Sequence, residues 1–171
     1  MAVPTEPADV TVRGVEESDL GSVVRIERAA FGQPWPYTAF ERFLDEPAFL
    51  VAIRDRDGAD GPGRDGDVVG YVVGDVTPSF GRDVGHVKDL AVAESARGRG
   101  IGRSLLVRAL VSLAIEGAKL VKLEVRESNA AAQSLYRDVG FETARRVDRY
   151  YRDGEDALVM VLDVPEWQAE R

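Results

Sequence analysis

Residues Gly85–Arg103 read GHVKDLAVAESARGRGIGR. The run Val87-Lys88-Asp89-Leu90-Ala91-Val92 has strand character, and Ala93–Ala96 is a short polar exit. From Ile101 onward, Leu105, Leu106, Ala109, Leu110 and Leu113 recur at the three- and four-residue spacing of a helix. The first N–H groups of a helix lack intrahelical partners and carry partial positive charge, so the intervening turn suits an anion. Gly98, Gly100 and Gly102 let a ligand approach the backbone, and Arg97, Arg99 and Arg103 add guanidinium donors matched to phosphate oxygens. The turn, with Ile101 in it, reads as a pyrophosphate cradle. The alternative is a glycine-rich turn carrying solvated arginines.

Two common phosphate motifs are excluded. A dinucleotide fingerprint GxGxxG needs glycine where Arg103 or Leu105 stands, and a P-loop needs a Gly-Lys pair that the chain lacks.

Outward from this stretch, the chain has 171 residues, 44% hydrophobic and 30% charged, as expected of one globular domain. That domain is expected over 10–164, after a flexible N-terminal segment (1–9) and before a C-terminal tail (165–171). No apolar run approaches the ~18 residues that span a bilayer, and residues 1–9 lack the features of a secretion signal. A cytoplasmic protein without a membrane partner is therefore expected. There is no cysteine, and His86 is the single histidine, so no metal centre, disulfide or thiol nucleophile is expected. The net charge of −8 argues against nucleic acid as partner and makes the arginine density at 97–103 informative. The acidic, lysine-poor balance fits a salt-adapted cytoplasm or a GC-rich genome.

Periodicity and turn residues predict strands at 10–15, 49–54, 68–76, 87–92, 120–126, 141–151 and 157–164. Helices are predicted at about 19–31 (capped by Ser18), 38–45 (a Thr38–Glu41 capping box), 100–116 and 129–139 (capped by Ser128 or Asn129). An acidic, Gly- and Pro-rich hairpin loop is expected over 55–67. The order is β-α-α-β-β-β-α-β-α-β-β.

Arg97-x-x-Gly100-x-Gly102 resembles the acyl-CoA motif of the GCN5-related N-acetyltransferases (GNAT). GHVKDLAV (85–92), LEVRESNAAAQSLYRDVGF (123–141) and RRVDRYYRDGEDALVM (145–160) resemble one branch, the ribosomal-protein alanine N-acetyltransferases (RimI) and their archaeal relatives. Phe31 with Pro34-Trp35 looks like that branch's Phe-Pro-Trp, interrupted here by Gly32-Gln33. The resemblance implies an α/β (α+β) GNAT fold: a mixed, mostly antiparallel sheet of about seven strands flanked by about four helices. It also implies acetyl-CoA as co-substrate and a protein N-terminus, including that of a ribosomal protein, as acceptor. A lysine side chain, a small amine, or a coenzyme-binding module without turnover are the alternatives.

By the same resemblance, backbone groups of Leu90, Ala91 and Val92 serve the pantetheine arm, and Asn129 bonds it or merely caps its helix. Glu124 is the general-base candidate. Val121, Leu123 and Val125 form one face of their strand, so Glu124 points the other way, where a mid-strand carboxylate is costly unless it has a role. The structural alternative is an ion pair with Arg126 or an arginine of the final hairpin. Tyr136 is the acid candidate by resemblance, although a phenol near pKa 10 gives up its proton only reluctantly to a thiolate near 8.5. Trp35 and Tyr37 are expected on one wall of the acceptor groove and Tyr150 on the other, Tyr151 facing away from it. His86 reads as a strand-edge structural residue.

Overall fold

A computed structural model describes residues 5–56 and 66–171. Most of the 55–67 loop lies outside the described residues. Seven strands form one sheet: β1 (Val10–Gly14), β2 (Leu50–Asp55), β3 (Gly66–Thr77), β4 (Val84–Val92), β5 (Leu120–Arg126), β6 (Glu142–Val147) and β7 (Ala157–Asp163). Their spatial order is β1-β2-β3-β4-β5-β7-β6, and only β4 and β5 run parallel.

Helices α1 (Leu20–Ala30) and α2 (Tyr37–Glu41) cover one face. Their core joins Leu20, Val23 and Phe40 to Val51, Tyr71 and Ala91 of the sheet. Helices α3 (Ile101–Ile115), α4 (Ala130–Val139) and α5 (Val164–Ala169) cover the other, where Leu105, Leu110, Tyr136 and Trp167 meet Val72, Val87, Leu123 and Met160.

Two irregularities of β4 shape the molecule. Val73 pairs with Asp89 but Gly74 pairs with Val87, so Lys88 is the extra residue of a bulge. The bulge shifts the alternation, and Lys88 and Asp89 therefore both serve the α1–α2 side while Val87 belongs to the opposite core. Second, β4 pairs with β5 only over Val84–His86 and Leu120–Lys122. Beyond His86 the two strands part and leave a gap.

Local differences from the sequence expectation have physical causes. Helix α2 starts at Tyr37 after Pro36, with no side-chain cap, so the Thr38–Glu41 capping box does not form. Ahead of α1, Asp19 rather than Ser18 is the organising residue: it accepts the Glu16 N–H at 2.8 Å and pairs with Arg13 at 2.7 Å. Strand β6 stops at Val147, four residues early, and Arg149 at φ 48° turns the chain. The 165–171 tail contains most of α5, begun by Asp163 and Pro165 and pinned by Trp167, which is 3% exposed. Six residues are too few to show a period. Of the N-terminal segment expected to be flexible, residues 5–9 are tied down. Glu6 pairs with Arg108 at 2.6 Å, and Asp9 pairs with Arg99.

Candidate active site

The gap between β4 and β5 supplies unpaired backbone. Ala93 donates to Val69 O at 2.7 Å, and antiparallel hydrogen-bonded pairs recur every second residue, so Ala91 faces Tyr71 as the next such pair. The N–H and C=O of Leu90 and Val92 consequently point away from β3, into the gap. Those of Ala91 are turned towards β3, where they serve the sheet rather than a ligand. Two gap-facing groups are held by side chains: Leu90 N–H by Asp89 Oδ1 at 3.0 Å, and Val92 O by Arg97 Nε at 3.1 Å.

The cradle closes one end of the gap. Gly100 caps α3 with φ 81°, Gly98 has φ 76°, and no side chain caps the helix N-terminus. A Cβ added at either glycine would meet nothing within 4 Å, so the demand for glycine is conformational and the space above the turn is open. A Cβ added at Gly102 would meet Leu135 and Val92 only at ordinary contact distance. Arg97, Arg99 and Arg103 are exposed, Arg97 folding back onto Val92 and Arg99 onto Asp9. The residues present fit a diphosphate at the turn and an amide-bearing arm along the gap. Asn129 lies exposed at the start of α4 and accepts the Ala132 N–H at 3.1 Å, as a capping residue does.

Glu124 emerges on the α1–α2 face, as the strand alternation requires. Its Oε2 lies 2.6 Å from His86 Nε2 and its Oε1 lies 3.7 Å from Lys122 Nζ. Burial pushes its pKa up, but the His86 hydrogen bond and the charges of His86 and Lys122 outweigh this and hold the carboxyl below its ordinary value. Arg126 is not its partner. That guanidinium bonds Asp153 at 2.8 Å and Glu155 at 3.0 Å and lies 4.0 Å over the Tyr151 ring, fixing the β6–β7 loop. His86 is therefore more than the strand-edge structural residue expected from sequence, because parallel pairing sets it beside Lys122, two residues from Glu124 on the same face of β5.

Glu124 and His86 line a cavity of about 460 Å³, with Trp35, Ala39, Arg42 and Phe43 on one side and Tyr150 and Tyr151 on another. Tyr37 is exposed at the start of α2 and lies outside this lining. Both hairpin tyrosines face the cavity, against the expectation that one turns away: they sit in a loop, where strand alternation does not apply. Their rings meet edge-on at 5.0 Å. Tyr136 is on the opposite side of the sheet, 8% exposed and edge-on to Phe141 at 6.0 Å. Burial, then the Asp89 charge and the Tyr151 hydroxyl, raise its pKa further.

A third cluster was not anticipated. Glu27, 2% exposed, accepts the Trp35 N–H at 3.0 Å and a hydrogen bond from the Tyr71 hydroxyl, which also lies 3.2 Å from Asp89 Oδ2. Burial, then the hydrogen bond and charge of Glu27, push the Asp89 pKa well up. The signal was available: Glu27 falls on the same stripe as Val23, Val24 and Ala30, so a carboxylate had to lie on the apolar face of α1.

The acetyltransferase (GNAT) family model matches residues 20–141. An N-alpha-acetyltransferase of Sulfurisphaera tokodaii is 34% identical over 160 residues, covering 87% of this chain and 90% of that protein. The N-alpha-acetyltransferase RimI of Mycobacterium tuberculosis is 37% identical over 171 residues, covering 95% and 97%. Among solved structures, the ribosomal-protein-S18-alanine N-acetyltransferase of Escherichia coli superposes with a TM-score of 0.71 at 28% identity, covering 91% and 94%.

Proposed function

The chain belongs to the acetyltransferase (GNAT) family, and from that premise we propose a complete reading: it acetylates the N-terminal α-amine of a protein by direct transfer from acetyl-CoA, through residues assigned below. It is an acetyl-CoA-dependent N-alpha-acetyltransferase, the activity for which its relatives are named. A lysine side chain or a small amine as acceptor is not favoured. Among the described residues no helix is long and apolar enough to cross a membrane, and a cytoplasmic location is part of the proposal.

The observation that carries the catalytic reading is Glu124, bonded to His86 at 2.6 Å, on the wall of an aromatic-lined cavity beside the parted strands. Acetyl-CoA supplies an acetyl group already activated as a thioester. Arg97, Gly98, Arg99, Gly100, Ile101, Gly102 and Arg103 would hold its diphosphate. The Leu90 C=O and the Val92 N–H would bond its amide-bearing arm, with Asn129 at the arm's edge, and Trp35 and Tyr150 would hold the acceptor peptide. Glu124, with His86 behind it, takes the proton that the α-amine loses, directly or through one water. The neutral amine nitrogen then bonds the carbonyl carbon, the carbon–sulfur bond breaks, and the further proton that the nitrogen sheds on becoming an amide is the one the leaving sulfur gains. Tyr136 stands as hydrogen-bond donor to that sulfur, since its raised pKa makes it a poor source of the proton itself. An α-amine of pKa about 8 costs roughly 1 kcal/mol to deprotonate at neutral pH, against more than about 4 for lysine, so one carboxylate–histidine pair suffices.

The test offers N-terminal peptides, peptides with only internal lysines, and polyamines to the purified protein with acetyl-CoA. Product at the α-amine alone is expected, and absence of that product overturns the reading. Peptides beginning with alanine come first, because two matched relatives are named for ribosomal-protein alanine.

A further inference from the structure

The Glu27–Tyr71–Asp89 cluster lies between the two substrate sites and is used by neither. On one side Glu27 Oε1 holds the backbone N–H of Trp35, whose ring lines the acceptor cavity. On the other, Asp89 Oδ1 holds the Leu90 N–H, which the strand phase turns into the β4–β5 gap. The Tyr71 hydroxyl joins the two carboxyls. The bulge at Lys88 makes this possible: without the extra residue Asp89 would face the α3 side and could not reach Tyr71.

We propose that Asp89 is a positioning residue for the acyl group. Anchored by Tyr71 and Glu27, its carboxyl keeps the Leu90 N–H directed into the gap, where a thioester carbonyl oxygen is received, and ties that point to the Trp35 wall. An incoming carbonyl takes over or shares this N–H, and Asp89 stays on Tyr71 and Glu27 beside it. A carboxyl that remains next to an oxygen gaining negative charge helps more the less charge it carries, and burial, with Glu27 beside it, raises the Asp89 pKa in that direction. The inference rests on the acetyl-transfer reading and adds a group to it.

Asp89→Leu and Asp89→Asn separate this role from structural filling. Asn keeps an oxygen for Leu90 N–H and an amide donor for Glu27, whereas Leu keeps only the volume. For each folded variant, kcat with an N-terminal peptide and Kd for CoA and for acetyl-CoA are measured. CoA lacks the acyl carbonyl and so reports the rest of the site. Asp89→Leu is expected to lose about tenfold or more in kcat and to weaken acetyl-CoA relative to CoA, whose Kd stays within about threefold; Asp89→Asn is expected within about threefold of the parent in kcat. An Asp89→Leu protein that keeps its kcat, an Asp89→Asn protein as impaired as Asp89→Leu, or equal loss of CoA and acetyl-CoA affinity overturns the proposal. Should Asp89→Leu not fold, Tyr71→Phe removes only the hydroxyl tether: a fall of about threefold in kcat at unchanged CoA Kd supports the role, and an unchanged kcat overturns it. If the parent protein acetylates no N-terminal peptide, the functional reading fails instead. The ratio of acetyl-CoA to CoA affinity in the variants still decides the role of Asp89.

Discussion

At the scale of the residue, Glu124 and His86 make the sharpest prediction. Glu124→Gln keeps the shape and removes the carboxylate proposed as the base, so kcat is expected to fall by about 10²- to 10⁴-fold, with Kd for CoA within about twofold by calorimetry. His86 contributes to holding the Glu124 carboxyl below its ordinary value. Because that folded-state pKa is depressed, the pair adds stability at pH above the unfolded carboxylate value (about 4.3) and loses it as pH falls through the folded value. His86→Ala should therefore raise the Glu124 pKa and move the acid limb of the pH–rate profile to higher pH; an unmoved limb would assign the base elsewhere. Tyr136→Phe is expected to cost less than about tenfold in kcat, since a phenol held above its ordinary pKa gives the sulfur a hydrogen bond more readily than a proton. The face on which Glu124 lies was legible from strand alternation alone. His86 was not, because its partner lies 38 residues away and reaches it only through parallel pairing.

At the scale of the element, the cradle and the helix ends carry the predictions. Gly100 caps α3 at φ 81°, so Gly100→Ala should cost roughly 1–2 kcal/mol in urea unfolding and raise the KM for acetyl-CoA, with little change in kcat. Trp167 is the buried anchor of α5, and Trp167→Ala should destabilise by about 3 kcal/mol or more in the same assay without changing the KM for peptide. The long amphipathic helices and alternating strands were readable because each repeats its signal over several turns or pleats. Helix α2 and the end of β6 were misplaced, and helix α5 was read as a tail, because each spans about one turn or is set by a single residue's backbone angle. The bulge in β4 has no local signature, since it arises from how β3 and β4 register against each other.

At the scale of the whole molecule, the chain is acidic, and several of its described carboxylates are paired with arginines. Asp9, Asp153, Asp156 and Asp163 are held below their ordinary values by arginines or backbone N–H groups, and Glu155 by the Ser128 side chain and N–H and then by Arg126. Their stabilisation is present above the unfolded carboxylate range and lost as pH falls through the lower folded values, so acid unfolding should set in below about pH 4 by circular dichroism. Asp89 has the opposite sign: its folded pKa is raised, so its contribution is complete at low pH and declines as pH rises above about 4. Asp89→Asn should accordingly raise the urea midpoint more at pH 7 than at pH 4. The sequence by itself determined the element order as far as β7, the glycine-rich turn before α3, the face of Glu124 and the family resemblance, because periodicity, glycine placement and strand alternation are local. Only the tertiary structure decided that His86 meets Glu124, that both hairpin tyrosines face one cavity, and that Glu27 and Asp89 share one tyrosine. The first contact comes from the parallel pairing of β4 with β5, the third from the β4 bulge and the packing of α1, and the tyrosines follow a loop path free of strand alternation, none of which a local pattern fixes.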